Sequence, residues 1–187
     1  MRVLGVDPGL TRCGIGVVDQ NLGAKPQLIA VGVVRTNPSA PHEQRLLQIE
    51  RGITEWVQEF QPDVVAVERA FAQHNLMTVA GTIQAAGIAM LVAAKAGYSV
   101  ALHTPTEVKA AITGSGRADK KQIGEMVLRI LQLEKALQPA DAADAVALAL
   151  THLWRGGATN RYAQLLAQTR NASDNQLRRL VAGVRSK

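Results

Sequence analysis

Apolar residues in this chain fall into short strand-like runs and longer helical patterns. Runs rich in β-branched residues predict strands at Arg2–Asp7, Cys13–Val18 and Gln27–Arg35. No helical pattern separates these three runs, so we predict an antiparallel meander. A fourth run, Asp63–Glu68, is almost continuously apolar, which is typical of a buried strand, and we predict that it lies parallel to the first.

Apolar residues at helical spacing predict five helices and leave room for one further strand. The helices are expected at Glu43–Phe60, Gln73–Lys95, Pro105–Ile112, Asp119–Leu133 and Pro139–Trp154, and the fifth strand at Tyr98–His103. Gly156 and Gly157 close the last helix, so we predict one domain over residues 1–157. The fold class is α/β, with a mixed five-stranded sheet flanked by helices.

Four carboxylates stand where these elements meet loops or begin. Asp7 ends the first strand, Glu68 ends the fourth, and Asp141 and Asp144 lie three residues apart in the first turns of the last helix. Residues at i and i+3 share a helix face, so both can point to one site. Hard oxygen ligands suit Mg²⁺ or Mn²⁺, and a pair of such ions suits phosphodiester hydrolysis.

The order of the elements predicts that the four acids converge. Three meander strands followed by helix, strand, helix and strand match the ribonuclease H-like order, in which the first and fourth strands are neighbours. Their carboxyl ends would place Asp7 beside Glu68, and the last helix would carry Asp141 and Asp144 across the sheet to the same point.

Composition narrows the class of protein. The chain has 187 residues, and 47% of them are hydrophobic but only 3% aromatic, so Val, Leu, Ile and Ala must build the core. The single cysteine, Cys13, excludes an internal disulfide and a cysteine-rich zinc site, and we expect a reducing, cytoplasmic setting. Met1 leads directly into a strand pattern, so we expect no signal peptide. Polar residues interrupt the Leu76–Ala94 stretch, which predicts no membrane span.

Positive charge is concentrated at the end of the chain. Residues 158–187 hold six basic residues and the acid Asp174, a net charge of +5 out of +6 for the whole chain. A basic C-terminal tail suits an anionic partner. A solvated, partly disordered end is the alternative.

Three motifs together resemble the bacterial Holliday-junction resolvases of the RuvC family. The motifs are Val6-Asp7-Pro8-Gly9-Leu10-Thr11-Arg12-Cys13-Gly14, Val67-Glu68-Arg69-Ala70-Phe71 and Ala140-Asp141-Ala142-Ala143-Asp144-Ala145. They occur in the family's order and spacing, and the resemblance runs through Trp154.

The resemblance implies a magnesium-dependent endonuclease acting in DNA recombination and repair. Such an enzyme is a homodimer that nicks two opposed strands of a four-way junction, and it works with a branch-migration motor, RuvA and RuvB. Two Mg²⁺ ions per subunit, for which Mn²⁺ can substitute, would activate water and stabilise the leaving 3′ oxygen. The products would carry 5′-phosphate and 3′-hydroxyl ends.

Each acid also has a purely structural interpretation. The sequence Asp7-Pro8-Gly9 favours a turn, and Glu68 could be an ordinary acid at the end of a strand. Asp141 and Asp144 lie in the first turns of a helix, where negative charge interacts favourably with the helix dipole. Four uncompensated acids at one sheet edge would repel one another, however, unless cations fill the site.

Two other functions compete with the nuclease. The pattern Asp7-x-Gly9-x-Thr11-x-x-Gly14 also resembles the first phosphate loop of the sugar kinase, heat-shock chaperone and actin superfamily. That superfamily needs a second ATPase domain, for which this chain is too short. A catalytically silent junction-binding module is the second rival, and the four intact acids argue against it.

The segment after the fourth strand predicts a DNA contact through Arg69, Phe71, His74 and Asn75. Phe71 could stack on an unpaired base, and the resemblance supports such a wedge at the junction crossover. Core packing of Phe71 and a plain solvated loop are the alternatives.

A basic cluster predicts a second DNA contact through Lys109, Arg117, Lys120 and Lys121. Cations at a helix start oppose the helix dipole, so a bound anion would explain them, and free backbone N–H groups there also suit phosphate. Lys109 and Lys120 match DNA-contacting lysines of the family. A solvated basic loop is the alternative.

The Leu76–Ala94 helix is apolar nearly all round, whereas one domain requires a single apolar stripe. Ala80, Gly81, Ala85 and Gly87 would permit close approach of another helix. We predict a homodimer through residues 76–94, with a buried core helix as the alternative.

Overall fold

A mixed five-stranded sheet forms the centre of this computed structural model, which describes residues 1–69 and 76–155. Its strands are β1 (Arg2–Asp7), β2 (Arg12–Asp19), β3 (Gln27–Arg35), β4 (Val64–Glu68) and β5 (Ser99–His103). Their order across the sheet is β3-β2-β1-β4-β5. β1, β2 and β3 form an antiparallel meander, whereas β4 runs parallel to β1 and β5 parallel to β4. The predicted fold class and meander are confirmed.

Five helices flank the sheet in the described part of the chain. They are α1 (His42–Phe60), α2 (Leu76–Lys95), α3 (Pro105–Thr113), α4 (Lys120–Ile130) and α5 (residues 140–155). α4 ends three residues earlier than predicted, because Gln132 adopts a left-handed φ of 54° that a helix cannot contain. Across the described residues, no helix is both long and apolar enough to cross a membrane.

The sheet separates two hydrophobic cores because successive strand residues point to opposite faces. Leu4, Ile15 and Val65 face α1 and α2 in the first core. Val3 and Ala66 pack with residues of α3, α4 and α5 in the second. Short aliphatic side chains fill both cores, as the low aromatic content predicts.

Glycines on β1 and β2 let α5 lie directly on the sheet. A Cβ atom added at Gly5 would collide with the backbone oxygen of Ala145, and one added at Gly14 would collide with that of Asp141. On the helix side, Ala145 and Ala149 are completely buried. The backbones of helix and sheet are therefore in contact, with no side chain between them.

Residues Met1–Trp154 form one compact unit. Gly156 and Gly157, where the domain boundary is predicted, and the predicted basic tail at 158–187 lie outside the described residues.

We predict that Gly5→Ala destabilises the protein by about 1–3 kcal/mol, since the new methyl group must push α5 off the sheet. Urea unfolding followed by circular dichroism measures this change. Gly124→Ala is the control: a Cβ there meets no atom within 4 Å, and replacing a mid-helix glycine should stabilise by about 0.5–1 kcal/mol. An unchanged free energy of unfolding for Gly5→Ala would show that the contact is not rigid.

Candidate active site

Asp7 and Glu68, the two predicted acids of the sheet, lie at the ends of neighbouring strands. Val6 on β1 pairs with Val67 on β4, so Asp7 and Glu68 emerge side by side at the same edge. Their carboxyl groups are hydrogen-bonded to each other. The parallel pairing of β1 and β4 thus produces the first half of the site.

The acids of α5 reach this edge but have different surroundings. Asp144 lines a cleft of about 280 Å³ together with Asp7 and Glu68. Pro105, Val108, Lys109, Lys120, Ile123 and Leu148 complete the cleft wall. Asp141 instead forms an ion pair with Arg12, whose Nε lies 2.6 Å from its Oδ2.

Burial makes the acidic centre costly to ionise. Burial, together with the negative charges of Glu68 and Asp144, raises the pKa of Asp7 to about 8. Burial also raises the pKa of Glu68, although the hydrogen bond from Asp7 opposes that rise. Both shifts favour one proton on the Asp7–Glu68 pair over two ionised carboxylates.

Basic side chains neutralise the other two acids. Lys120 Nζ lies 2.8 Å from Asp144 Oδ2, and this hydrogen bond raises the pKa of Lys120. Arg12 holds Asp141 in the same way. A shared proton and two cations thus satisfy the four acids.

This arrangement bears directly on the predicted metal site. Across residues 1–69 and 76–155, no three acidic, histidine or cysteine side chains are already close enough to hold one ion. The donor chemistry nevertheless fits Mg²⁺ or Mn²⁺, because all four groups are carboxylates and the buried ones repel each other. Arg12 holds Oδ2 of Asp141 and would compete with a metal ion for that oxygen.

The predicted DNA-contacting residues are spread around the cleft. Lys109 and Lys120 line it, and Lys121 is exposed in the first turn of α4. Arg117 lines a separate cavity of about 430 Å³ between the α3–α4 loop and the outer side of α4. Arg69 is exposed just beyond β4. Phe71, His74 and Asn75 lie outside the described residues.

One expectation about the start of α4 is wrong in part. Asp119 accepts a hydrogen bond from the Gln122 N–H, and the Gln122 side chain accepts one from the Asp119 N–H. This capping box uses two of the backbone N–H groups that the sequence analysis assigned to phosphate.

Two polar contacts escaped the sequence analysis. Arg12 lies within the first motif, but its partner Asp141 is distant in the chain, so only the fold reveals the ion pair. His103, paired with Glu68 across β4 and β5, contacts His152 of α5 at 3.1 Å. Burial, with a smaller contribution from His103, lowers the pKa of His152 to about 4.

Comparison with known proteins identifies the family. The family described as crossover junction endodeoxyribonuclease RuvC matches residues 3–152. A protein of that name from Cutibacterium acnes is 62% identical over 90% of this chain and 86% of its own length. One from Thermobifida fusca is 62% identical over 88% of this chain and 90% of its own.

Solved structures agree with the sequence matches. Thermus thermophilus RuvC in complex with Holliday junction substrate has a TM-score of 0.77 and 37% identity, covering 82% of this chain and 93% of that one. The yeast mitochondrial Holliday junction resolvase Ydc2, at 13% identity and a TM-score of 0.59, supports the fold alone. The family that the three sequence motifs predict is confirmed, and the chain belongs to the RuvC family of crossover junction endodeoxyribonucleases.

Proposed function

We propose that this protein resolves four-way DNA junctions by nicking two opposed strands at symmetric positions. The observation that carries the proposal is the cleft in which Asp7, Glu68 and Asp144 face Lys109 and Lys120. Acids there can hold cations, while lysines at the rim can hold a phosphate. The RuvC of Thermus thermophilus that shares this fold was solved with a Holliday junction substrate.

The four acids Asp7, Glu68, Asp141 and Asp144 are the proposed ligands of two Mg²⁺ ions per subunit, with Mn²⁺ as a substitute. When bound, such ions supply a nucleophilic water and stabilise the leaving oxygen, which would yield 5′-phosphate and 3′-hydroxyl ends. Asp7 must lose its proton to become a ligand, because its pKa is raised to about 8.

The basic residues of the cleft have a double role in this proposal. Lys120 pairs with Asp144 and Arg12 with Asp141, so both acids are held until other cations replace these side chains. Lys120, drawn from Asp144 by a metal ion or by the substrate phosphate itself, joins Lys109 in holding that phosphate. The exchange would keep the buried charges balanced at every stage.

The remaining DNA contacts are assigned around the cleft. We assign Arg69, Phe71, His74 and Asn75 to the junction crossover, with Phe71 stacking on an unpaired base. Arg117 and Lys121 would contact phosphates of a junction arm, since Lys121 is exposed beside the cleft and Arg117 lies on the preceding loop.

A homodimer through α2 would supply the two symmetric sites. Ile83 and Leu91 are about half exposed, at 51% and 47%, on one side of this helix. Gly87 lies between them, one turn from each, and a Cβ there would meet no atom within 4 Å. Ala80 and Ala94 extend the same exposed stripe. Such a stripe of small and apolar residues permits close packing of two helices around a two-fold axis.

We also propose a reducing, cytoplasmic setting for this protein. The buried free thiol of Cys13 is compatible with the reducing cytoplasm. RuvA and RuvB are the proposed motor partners, and the basic tail at 158–187 is a proposed separate segment with affinity for DNA.

The first prediction concerns the acids. Asp7→Asn, Glu68→Gln, Asp141→Asn and Asp144→Asn should each slow nicking of a synthetic four-way junction in Mg²⁺ by roughly 100-fold or more, equivalent to about 3 kcal/mol of lost charge stabilisation. Junction binding in EDTA, measured by fluorescence anisotropy, should survive. Glu55→Gln, an exposed change on α1, is the control.

A stability measurement separates this role from a structural one. Ionised Asp7 is unfavourable in the folded state, because its pKa rises from 3.8 to about 8, and its cost grows as the pH rises through that interval. Metal-free Asp7→Asn should therefore be at least as stable as the wild type at pH 8. A variant that unfolds more easily and loses binding and nicking together would instead indicate a structural acid.

The second prediction concerns the lysines. Lys109→Ala and Lys120→Ala should each weaken junction binding and reduce the slope of log affinity against log salt by about 1, because each removes one phosphate contact. Titrations in EDTA at several salt concentrations measure the slope. Lys25→Ala, an exposed lysine at the opposite edge of the sheet, should leave it unchanged. Unchanged slopes for both cleft lysines would contradict their phosphate role.

The third prediction concerns the dimer. Ile83→Lys and Leu91→Lys should yield folded monomers that lose paired cutting, because burying an unpaired lysine costs several kcal/mol. Light scattering gives the mass and circular dichroism checks folding. Met90→Lys is unsuitable because Met90 packs against the first core. Leu22→Lys, at a fully exposed turn, is the control. Folded, dimeric and fully active variants would place the interface elsewhere.

A further inference from the structure

A row of arginines continues the active edge of the sheet beyond the acids. Across the strand order β3-β2-β1-β4-β5, this edge presents Arg35, Arg12, Asp7, Glu68 and His103. Arg12 and Arg35 are direct cross-strand partners, so they share one face of the sheet. Two like charges directly opposite each other destabilise a sheet, so an anion bound to this pair would relieve their repulsion.

A third arginine joins these two from α1. Arg45 Nη2 donates to Thr11 Oγ1 at 2.6 Å, and its Nε donates to Thr36 Oγ1 at 3.0 Å. Thr36 is itself anchored, since its hydroxyl donates to the Leu10 carbonyl at 2.6 Å. The guanidinium is thus fixed by neutral hydroxyl groups of the residues that adjoin Arg12 and Arg35 in sequence, and within residues 1–69 and 76–155 no carboxylate forms an ion pair with it.

The charge at this end of the sheet is unbalanced. Throughout residues 1–69 and 76–155, the one ion pair formed by Arg12, Arg35 or Arg45 is that between Arg12 and Asp141. One of these three guanidinium groups therefore has a carboxylate partner among the described residues, and that partner, Asp141, is itself a proposed metal ligand. Arg35 is exposed to solvent at the end of β3.

We propose that Arg12, Arg35 and Arg45, here named the arginine edge, bind the sugar-phosphate backbone of the DNA strand on the side of the acids opposite to Lys109 and Lys120. This inference rests on the proposed cleavage of junctions. Arginine suits the task because its planar, permanently charged guanidinium can hold a phosphate with two hydrogen bonds.

The spacing of the strands sets the length of the contact. β3 lies two strands from β1, about 10 Å at the usual strand separation. A DNA strand carries one phosphate per roughly 3.4 Å of helix axis, so Arg35 lies on the order of three nucleotides from the reacting phosphate. Cations on both sides would hold the strand across the acids.

Salt-dependent binding of a synthetic four-way junction in EDTA tests the arginine edge. Arg35→Ala and Arg45→Ala should each reduce the slope of log affinity against log salt by about 1 and weaken binding without sequence preference. Arg35→Lys should restore the slope, since a lysine keeps the charge. Arg51→Ala, exposed on α1 and about 9 Å farther along that helix, is the matched control and should bind as the wild type does.

Neutral phosphates then locate the contact. A single methylphosphonate about three nucleotides from the cleavage point should weaken binding of the wild type but not of Arg35→Ala. If the wild type binds the junction and both alanine variants keep the wild-type salt slope, the arginine edge is wrong but the proposed function stands. A wild-type protein that neither binds nor cuts the junction would overturn the proposed function itself. If Arg45→Ala unfolds, exposed Arg35 still decides the outcome.

Discussion

The contact between α5 and the sheet is the constraint on which the site depends. Gly5 and Gly14 leave no space for a side chain, so the helix backbone lies against β1 and β2, and buried alanines complete the fit. Asp141 and Asp144 are carried on this helix and Asp7 on the strand beneath it. A helix held one methyl group farther away would separate these acids, because close-packed interiors transmit such shifts.

Charge balance is the second organising feature. Four acids at one edge would repel one another, and the structure answers with a proton shared by Asp7 and Glu68 and with cations on the other two. These partners are all replaceable: a proton can leave, and the Arg12 and Lys120 side chains can move to phosphate. Under the proposed function, cations and DNA would substitute for these contacts within the protein.

Basic groups lie on both sides of the acids along this edge of the sheet. Lysines of α3 and α4 lie on the β5 side, and the arginine edge lies on the β3 side. A strand of DNA crossing the edge would meet positive charge before and after the acids. Phosphate contacts of this kind position a substrate without reading its sequence, which suits an enzyme that recognises a branched shape.

Periodicity along the chain determined most of the architecture. The meander, the parallel fourth strand and the five helices follow from apolar spacing, and three motifs identified the family and its acids. Periodicity did not fix the ends of the elements: the end of α4 depends on the left-handed backbone of Gln132, which propensity does not reveal. Met90 is a second example, since the apolar sequence of α2 does not show that Met90 packs against the first core.

The tertiary structure decided which charges meet. Arg12 and Asp141 are far apart in sequence, as are Lys120 and Asp144, and their ion pairs arise only when α5 and α4 pack on the sheet. The pairing of Arg12 with Arg35 likewise depends on the strand register. Local sequence determines strands and helices through short-range periodicity, but electrostatic partners are set by distances in space, which only the folded chain defines.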